Sequence, residues 1–162
     1  MKIVVISDTH IPDRSSWLPE RLTEEIRGAD MLIHAGDFVS LEFFERLKRL
    51  CKDIKAVCGN MDPQEIRDLL PPKVVFKAGR YKIGIFHGCG APHGIFDLLN
   101  AEFRNDKLDI IVFGHTHGAY NEKRGEILYF NPGSPTDKAC VDCNTYGIIE
   151  INDRIEARIL KI

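Results

Sequence analysis

The 162-residue sequence has a single tryptophan and no apolar run near the roughly 20 residues that a bilayer-crossing helix needs. A transmembrane helix is therefore not expected. It also lacks an excess of positive charge. At a net charge of −2, no electrostatic grip on nucleic acid or on an anionic membrane is expected. The first residues, MKIVVISDTH, carry an apolar stretch too short for a secretory signal and no small-residue cleavage site, so a cytoplasmic location is expected. The five cysteines are an odd number without framework spacing, which excludes a disulfide scaffold and fits a reducing compartment. Cys140 and Cys143 form a C-x-x-C, but no second pair stands in zinc-ribbon register, so packing in a strand or loop is expected there. Repeats, low-complexity stretches and linker-like composition are all missing, and Pro71-Pro72 reads as a turn. Residues 1–162 are expected to form one domain.

What is present is an ordinary globular composition, 44% apolar and 28% charged. Lys2–Ile6 is a short β-branched run and reads as a strand. Pro19–Arg27 places Leu22 and Ile26 four apart, a helix closed by Gly28. Met31–Ala35 is a second strand. Ser40 is a suitable cap for a helix over Leu41–Leu50, with Leu41, Phe44 and Leu47 on one stripe. Ile54–Cys58 is a third strand, and this βαβαβ order predicts parallel strands covered by helices. Further on, Gly79-Arg80 reads as a hairpin turn between Val74–Ala78 and Tyr81–Phe86. A helix over Ile95–Phe103 and a strand over Asp109–Phe113 follow. Three more strands, Glu126–Phe130, Thr145–Ile151 and Ile155–Leu160, complete the chain, the last two joined by Asn152-Asp153-Arg154.

The informative residues follow the strands. After Lys2–Ile6 comes SDTH, with Asp8 and His10; after Met31–Ala35 comes Asp37; after Ile54–Cys58 comes Asn60. After Tyr81–Phe86 comes His87, and after Asp109–Phe113 come His115 and His117. Ligands of open α/β sheets bind beyond the carboxyl ends of the strands, so these donors converge if the strands are neighbours. Each alone has an ordinary explanation as a cap, turn residue or satisfied core histidine. Together they offer imidazole, carboxylate and amide oxygen with no thiolate, a set suited to borderline divalent ions. Seven donors exceed what one tetrahedral ion uses and match two ions about 3.5–4 Å apart.

D-x-H (Asp8, His10), GD (Gly36, Asp37), GN (Gly59, Asn60), His87 and GHTH (Gly114–His117), in this order, resemble the calcineurin-like metallophosphoesterases, and among them the small single-domain phosphodiesterases. The resemblance runs from Lys2 through NPGS (Asn131–Ser134). It implies an α/β fold in which two mixed sheets pack as a sandwich with helices outside, in four αββα layers. It also implies that Asp8, His10 and His117 hold one metal, that Asn60, His87 and His115 hold the other, and that Asp37 bridges them. Two strand-end histidines one residue apart then serve different ions. The implied reaction is hydrolysis of a phosphoester, a diester first, by in-line attack of a bridging hydroxide. Asp37, Asn60 and His87 are the residues implied in catalysis.

The implied cofactors are two divalent ions, manganese first, with nickel, zinc, iron or cobalt also accommodated. The expected partner is a small phosphoester, nucleotides included, and self-association through an edge strand or helix face is compatible with the sequence. Two departures stand out. Cys89 occupies a place where many relatives carry a second histidine. Met61, followed by Asp62, stands where larger members carry a general-acid histidine, leaving Asp62, His93 or a metal-bound water to protonate the leaving group. His34 reads as a core or supporting histidine, His93 as a loop residue near substrate, and NPGS as a tight turn under the site. The competing reading is a catalytically weak or inactive protein-binding scaffold of the same fold, like the eukaryotic retromer subunit. A dinuclear amide hydrolase would use similar donors.

Overall fold

The structure is a computed structural model, and it describes residues 1–137 and 143–162. Cys140 of the C-x-x-C lies outside the described residues, and Cys143 is an exposed free thiol. In chain order the elements are β1 (Lys2–Ile6), α1 (Glu20–Arg27), β2 (Met31–His34), α2 (Leu41–Leu50), β3 (Ile54–Ala56) and α3 (Gln64–Leu69). Then come β4 (Lys73–Ala78), β5 (Tyr81–Phe86), a single 3-10 turn (Pro92–Gly94), α4 (Ile95–Glu102) and β6 (Ile110–Val112). The chain finishes with β7 (Tyr120–Arg124), β8 (Ile127–Asn131), β9 (Thr145–Ile151) and β10 (Ile155–Lys161).

Two mixed five-stranded sheets result, in orders β10-β9-β1-β2-β3 and β4-β5-β6-β8-β7. The first sheet has β1, β2 and β3 parallel, as the βαβαβ opening predicts. In the second, β5, β6 and β8 are parallel and are flanked by antiparallel β4 and β7. Side-chain alternation along each strand builds the layers. Ile3 and Val5 of β1 join Ile33, Ile83, Ile85, Ile110, Val112 and Phe130 between the two sheets. Val4 and Ile6 point the other way, onto Leu22, Ile26, Phe43 and Leu47 of α1 and α2. On the outer face of the second sheet, Ile111, Phe113 and Tyr129 meet Ile95, Leu99 and Phe103. The architecture is the expected sandwich of two mixed sheets flanked by helices. No helix among the described residues is long and apolar enough to cross a membrane.

The expected elements appear with short boundary shifts. Ser40 caps α2 by accepting the Phe43 N–H at 3.3 Å. Pro19 is the N-cap of α1 rather than its first residue. Strand β3 ends at Ala56, two residues before the expected Cys58, so that the chain can bend towards Asn60. Besides the 3-10 turn, two elements have no counterpart in the sequence reading. Helix α3 is a six-residue turn after Pro63 that buries only Ile66. Strand β7, YNEKR, is a polar edge strand, and its charges hide it from any search for apolar alternation.

Candidate metal centre

All seven predicted donors meet at one end of the sandwich, beyond β1, β2 and β3 of one sheet and β5 and β6 of the other. Asp8 Oδ1 lies 3.3 Å from His117 Nε2 and 3.9 Å from His87 Nε2. Asp37 Oδ2 lies 3.2 Å from His87 Nε2 and 3.7 Å from His10 Nε2, so this carboxylate faces both halves of the cluster. His10 Nε2 and His117 Nε2 are 3.4 Å apart. Asn60 Oδ1 sits 2.9 Å from His115 Nδ1 and 3.2 Å from His87 Nε2. Asp8, Asp37, His10 and His87 are buried, while Asn60 is exposed at the rim.

The backbone carries the mark of the site as well. Six non-glycine residues have left-handed φ among the described residues, and five of them are Asp8, His10, Asp37, His115 and His117. Such conformations cost about 1–3 kcal/mol each and persist where the surroundings enforce them. The surroundings here are interlocked loops. Asp8 N–H donates to Gly36 O at 3.0 Å, His10 N–H to Asp37 O at 3.1 Å, and His115 N–H to both oxygens of Asp8 at 3.1 Å. The glycines beside the donors allow this closeness. A Cβ on Gly59 would strike Asp37 Oδ1 and lie 2.5 Å from Asp37 N.

The outward nitrogen of three rings is already committed. His87 Nδ1 donates to Ala35 O at 2.6 Å, His115 Nε2 to Gly90 O at 2.7 Å, and His117 Nδ1 to Asp137 Oδ2 at 2.5 Å. Once neutral, these rings present lone pairs on their inward nitrogens, alongside the oxygens of Asp8, Asp37 and Asn60. A cluster made of acceptors calls for cations. Two triads of this cluster, Asp8–His10–His117 and Asp8–Asp37–His87, have donor atoms within 4.8 Å of one another, close enough for one ion each.

Electrostatics in the metal-free protein agree. Burial works against a charge on His87, but the hydrogen bond to Asp37 and the charges of Asp8 and Asp37 outweigh it and raise its pKa to about 9. Burial likewise acts to raise Asp37, yet the hydrogen bond and charge of His87, with the Met61 N–H, hold it below the ordinary carboxylate value. At Asp8 burial prevails over His87 and His117 and the pKa is raised. The proton on His87 thus stands in for missing positive charge. Because its folded value exceeds the unfolded 6.5, the stabilisation is complete below pH 6.5 and fades as pH climbs through about 9. Melting temperatures of metal-free protein are accordingly expected to fall between those pH values. Metal uptake at pH 7 is expected to expel this proton, read as a calorimetric enthalpy that varies with the ionisation enthalpy of the buffer.

Other predicted residues take supporting places. His34 is fully buried, stacked on Phe38 at 3.5 Å, with Nδ1 accepting Gly36 N–H and Nε2 bonded to Thr9 Oγ1. Both ring nitrogens are thus committed, which makes it a support and not a ligand, and burial drives its pKa well below 6.5. Asp62 is 3% exposed and accepts N–H bonds from Asp37, Val39 and Gly59, which makes it a clamp on the GD and GN turns instead of a proton donor in the cleft. Its pKa is raised by burial. His93 is exposed on the 3-10 turn, and Met61 is 59% exposed on the rim. His10, Asp37, Asn60, His115 and His117 open onto a cleft of about 420 Å3 that Asp13, Arg14 and Met61 also line. Asp13, Arg14 and Asp137 escaped the sequence reading, since none stands at a strand end.

Residues 1–154 match the sequence profile of the calcineurin-like phosphoesterase superfamily domain. The chain belongs to this family. Within it, the chain is 36% identical to a probable metallophosphoesterase of Methanocaldococcus jannaschii, over 100% of this chain and 82% of that protein. It is 32% identical to vacuolar protein sorting-associated protein 29 of Schizosaccharomyces pombe, over 84% of this chain and 73% of that one. Among solved structures, Vps29 of Entamoeba histolytica in complex with Zn2+ superposes with a TM-score of 0.79 at 26% identity, covering 99% of both chains. Membership of the family implies divalent metal ions and phosphoester chemistry, the class to which the resemblance in the sequence pointed.

Proposed function

We propose that this chain is a metal-dependent phosphoester hydrolase with a preference for diesters, built around two divalent ions. The observation that carries this reading is the convergence of imidazole, carboxylate and amide acceptors whose outward partners are already fixed. Asp8, His10 and His117 would hold one ion, Asn60, His87 and His115 the other, and Asp37 would serve both. The donors are of the borderline kind, which suits manganese and equally admits zinc, iron, cobalt or nickel by availability. Ions bound there supply Lewis-acid charge and an acidic water for attack on phosphorus near neutral pH.

The chain's own part is orientation. Asn60 offers Oδ1 to the centre, which leaves its amide N–H groups for a phosphoryl oxygen. Arg14, exposed on the wall of the same cleft, supplies a guanidinium for the charge that develops on phosphate. The open volume of about 420 Å3 suits a small phosphoester, nucleotides included. Position 61 carries a thioether instead of an imidazole, and Asp62 is turned inward, so esters whose leaving group departs without a proton are expected to react best.

Bis-p-nitrophenyl phosphate is such an ester. Turnover with added Mn2+, abolished by a chelator and restored by fresh metal, is the expected result. Protein that holds two ions and leaves this diester intact would overturn the hydrolase. The similarity to vacuolar protein sorting-associated protein 29 supports a second reading, a protein-binding scaffold of the same fold, and that outcome would favour it. Against the scaffold stands the complete set of seven donors.

A further inference from the structure

The three rings with committed outward nitrogens are not supported alike. His87 and His115 lean on backbone carbonyls, whereas His117 leans on a carboxylate, that of Asp137. Asp137 is fully buried, with Oδ2 2.5 Å from His117 Nδ1. Its backbone is anchored without help from that carboxylate. The Asp137 N–H donates to Ser134 Oγ at 3.0 Å, and its carbonyl accepts from Asn144 Nδ2 at 2.8 Å. Ser134 Oγ in turn donates to Asp8 O at 2.7 Å, and Thr136 Oγ1 donates to Thr9 O at 2.6 Å. Asn131 Nδ2 donates to Gly114 O and to Thr116 Oγ1, both at 3.0 Å. The stretch from Asn131 to Asp137 is thus fastened to both loops that carry Asp8, His10 and His117, and it delivers one carboxylate beneath the last of these.

A charged acceptor binds an imidazole N–H more strongly than a carbonyl does and makes the opposite nitrogen a better electron-pair donor. We propose that Asp137 is a positioning residue for metal binding: it keeps the His117 proton on Nδ1, aims Nε2 at Asp8 and His10, and makes the Asp8–His10–His117 subsite the one that fills first. The proposal rests on the two-ion reading above. Asp137 is proposed to act on the metal through His117 and not by touching metal or substrate.

The variant Asp137→Asn keeps the shape and both backbone anchors and removes the charge. In Mn2+ titrations followed by calorimetry, the tighter of two binding events is expected to weaken 10–100-fold, the usual effect of losing such a partner. Far-ultraviolet circular dichroism of the metal-free variant is expected to match the wild type, so that the lost affinity is not a lost fold. The 15N shifts of the neutral His117 ring in metal-free wild-type protein are expected to show a protonated Nδ1 and a bare Nε2. Unchanged Mn2+ affinity in the variant, or a bare Nδ1 in the wild type, overturns the proposal. Wild-type protein that takes up no Mn2+ overturns the two-ion reading instead, and the nitrogen shifts then still decide the part played by Asp137.

Discussion

Replacing Asp37 with alanine is expected to remove metal and activity together. Its Oδ2 lies close to rings from both halves of the cluster, 3.2 Å from His87 and 3.7 Å from His10. Without it each half loses a ligand and the two lose their shared anion. The fall in kcat/KM on bis-p-nitrophenyl phosphate is expected to exceed the roughly 10²–10³-fold that a single lost electrostatic contact costs. Metal content measured on the same preparation should drop in step. The fold should survive, because the apolar layers do not contain Asp37. Far-ultraviolet circular dichroism checks this. An Asp37→Ala protein that still holds two ions and turns over would refute the bridging assignment.

Gly114→Ala is expected to act almost as strongly by a different route. The added methyl would collide with Ser7 Oγ, and would lie 2.8 Å from Asp8 Oδ2 and 3.0 Å from Ala35 O. Neither neighbour can yield cheaply. Ser7 and Asp8 are fully buried, and Asp8 is already bonded to the His115 N–H. Inserting a methylene-sized group into packed structure costs about 1–3 kcal/mol. The strain falls on the contact between the first and last ligand loops, so Mn2+ affinity is expected to fall along with the chemical-denaturation midpoint. Wild-type midpoint and affinity together would show that these loops are looser than their hydrogen bonds indicate.

The layered fold was legible because its apolar patterns are clean. The short β-branched run Lys2–Ile6 suits a strand buried on both faces, a helical stripe in Leu41–Leu50 specifies one buried face, and Ser40 announces where the helix starts. The site was legible because donors follow five strands, four of them beside a glycine or within a residue or two of one. What escaped was what depends on chain return. Strand β7 exists because β8 offers it a register from Tyr120↔Asn131 to Arg124↔Ile127, not because YNEKR favours a strand. Asp62 looks in sequence like a stray acid after Asn60, and only the approach of residues 37–39 turns it into an acceptor for three N–H groups. Asp137 sits 20 residues from its imidazole, in a loop whose pattern says nothing about metal. The left-handed backbone at Asp37, His115 and His117 was foreshadowed only by the adjoining glycines, and at Asp8 and His10 by nothing.

The three apolar layers exclude every one of the seven donors. Architecture and chemistry are therefore separable properties of this chain. Descendants could shed ligands one at a time, by single substitutions, while the sandwich stays intact and its surface remains available for other work. A frame whose apolar layers are built apart from its donor cluster can lose a donor and keep its shape.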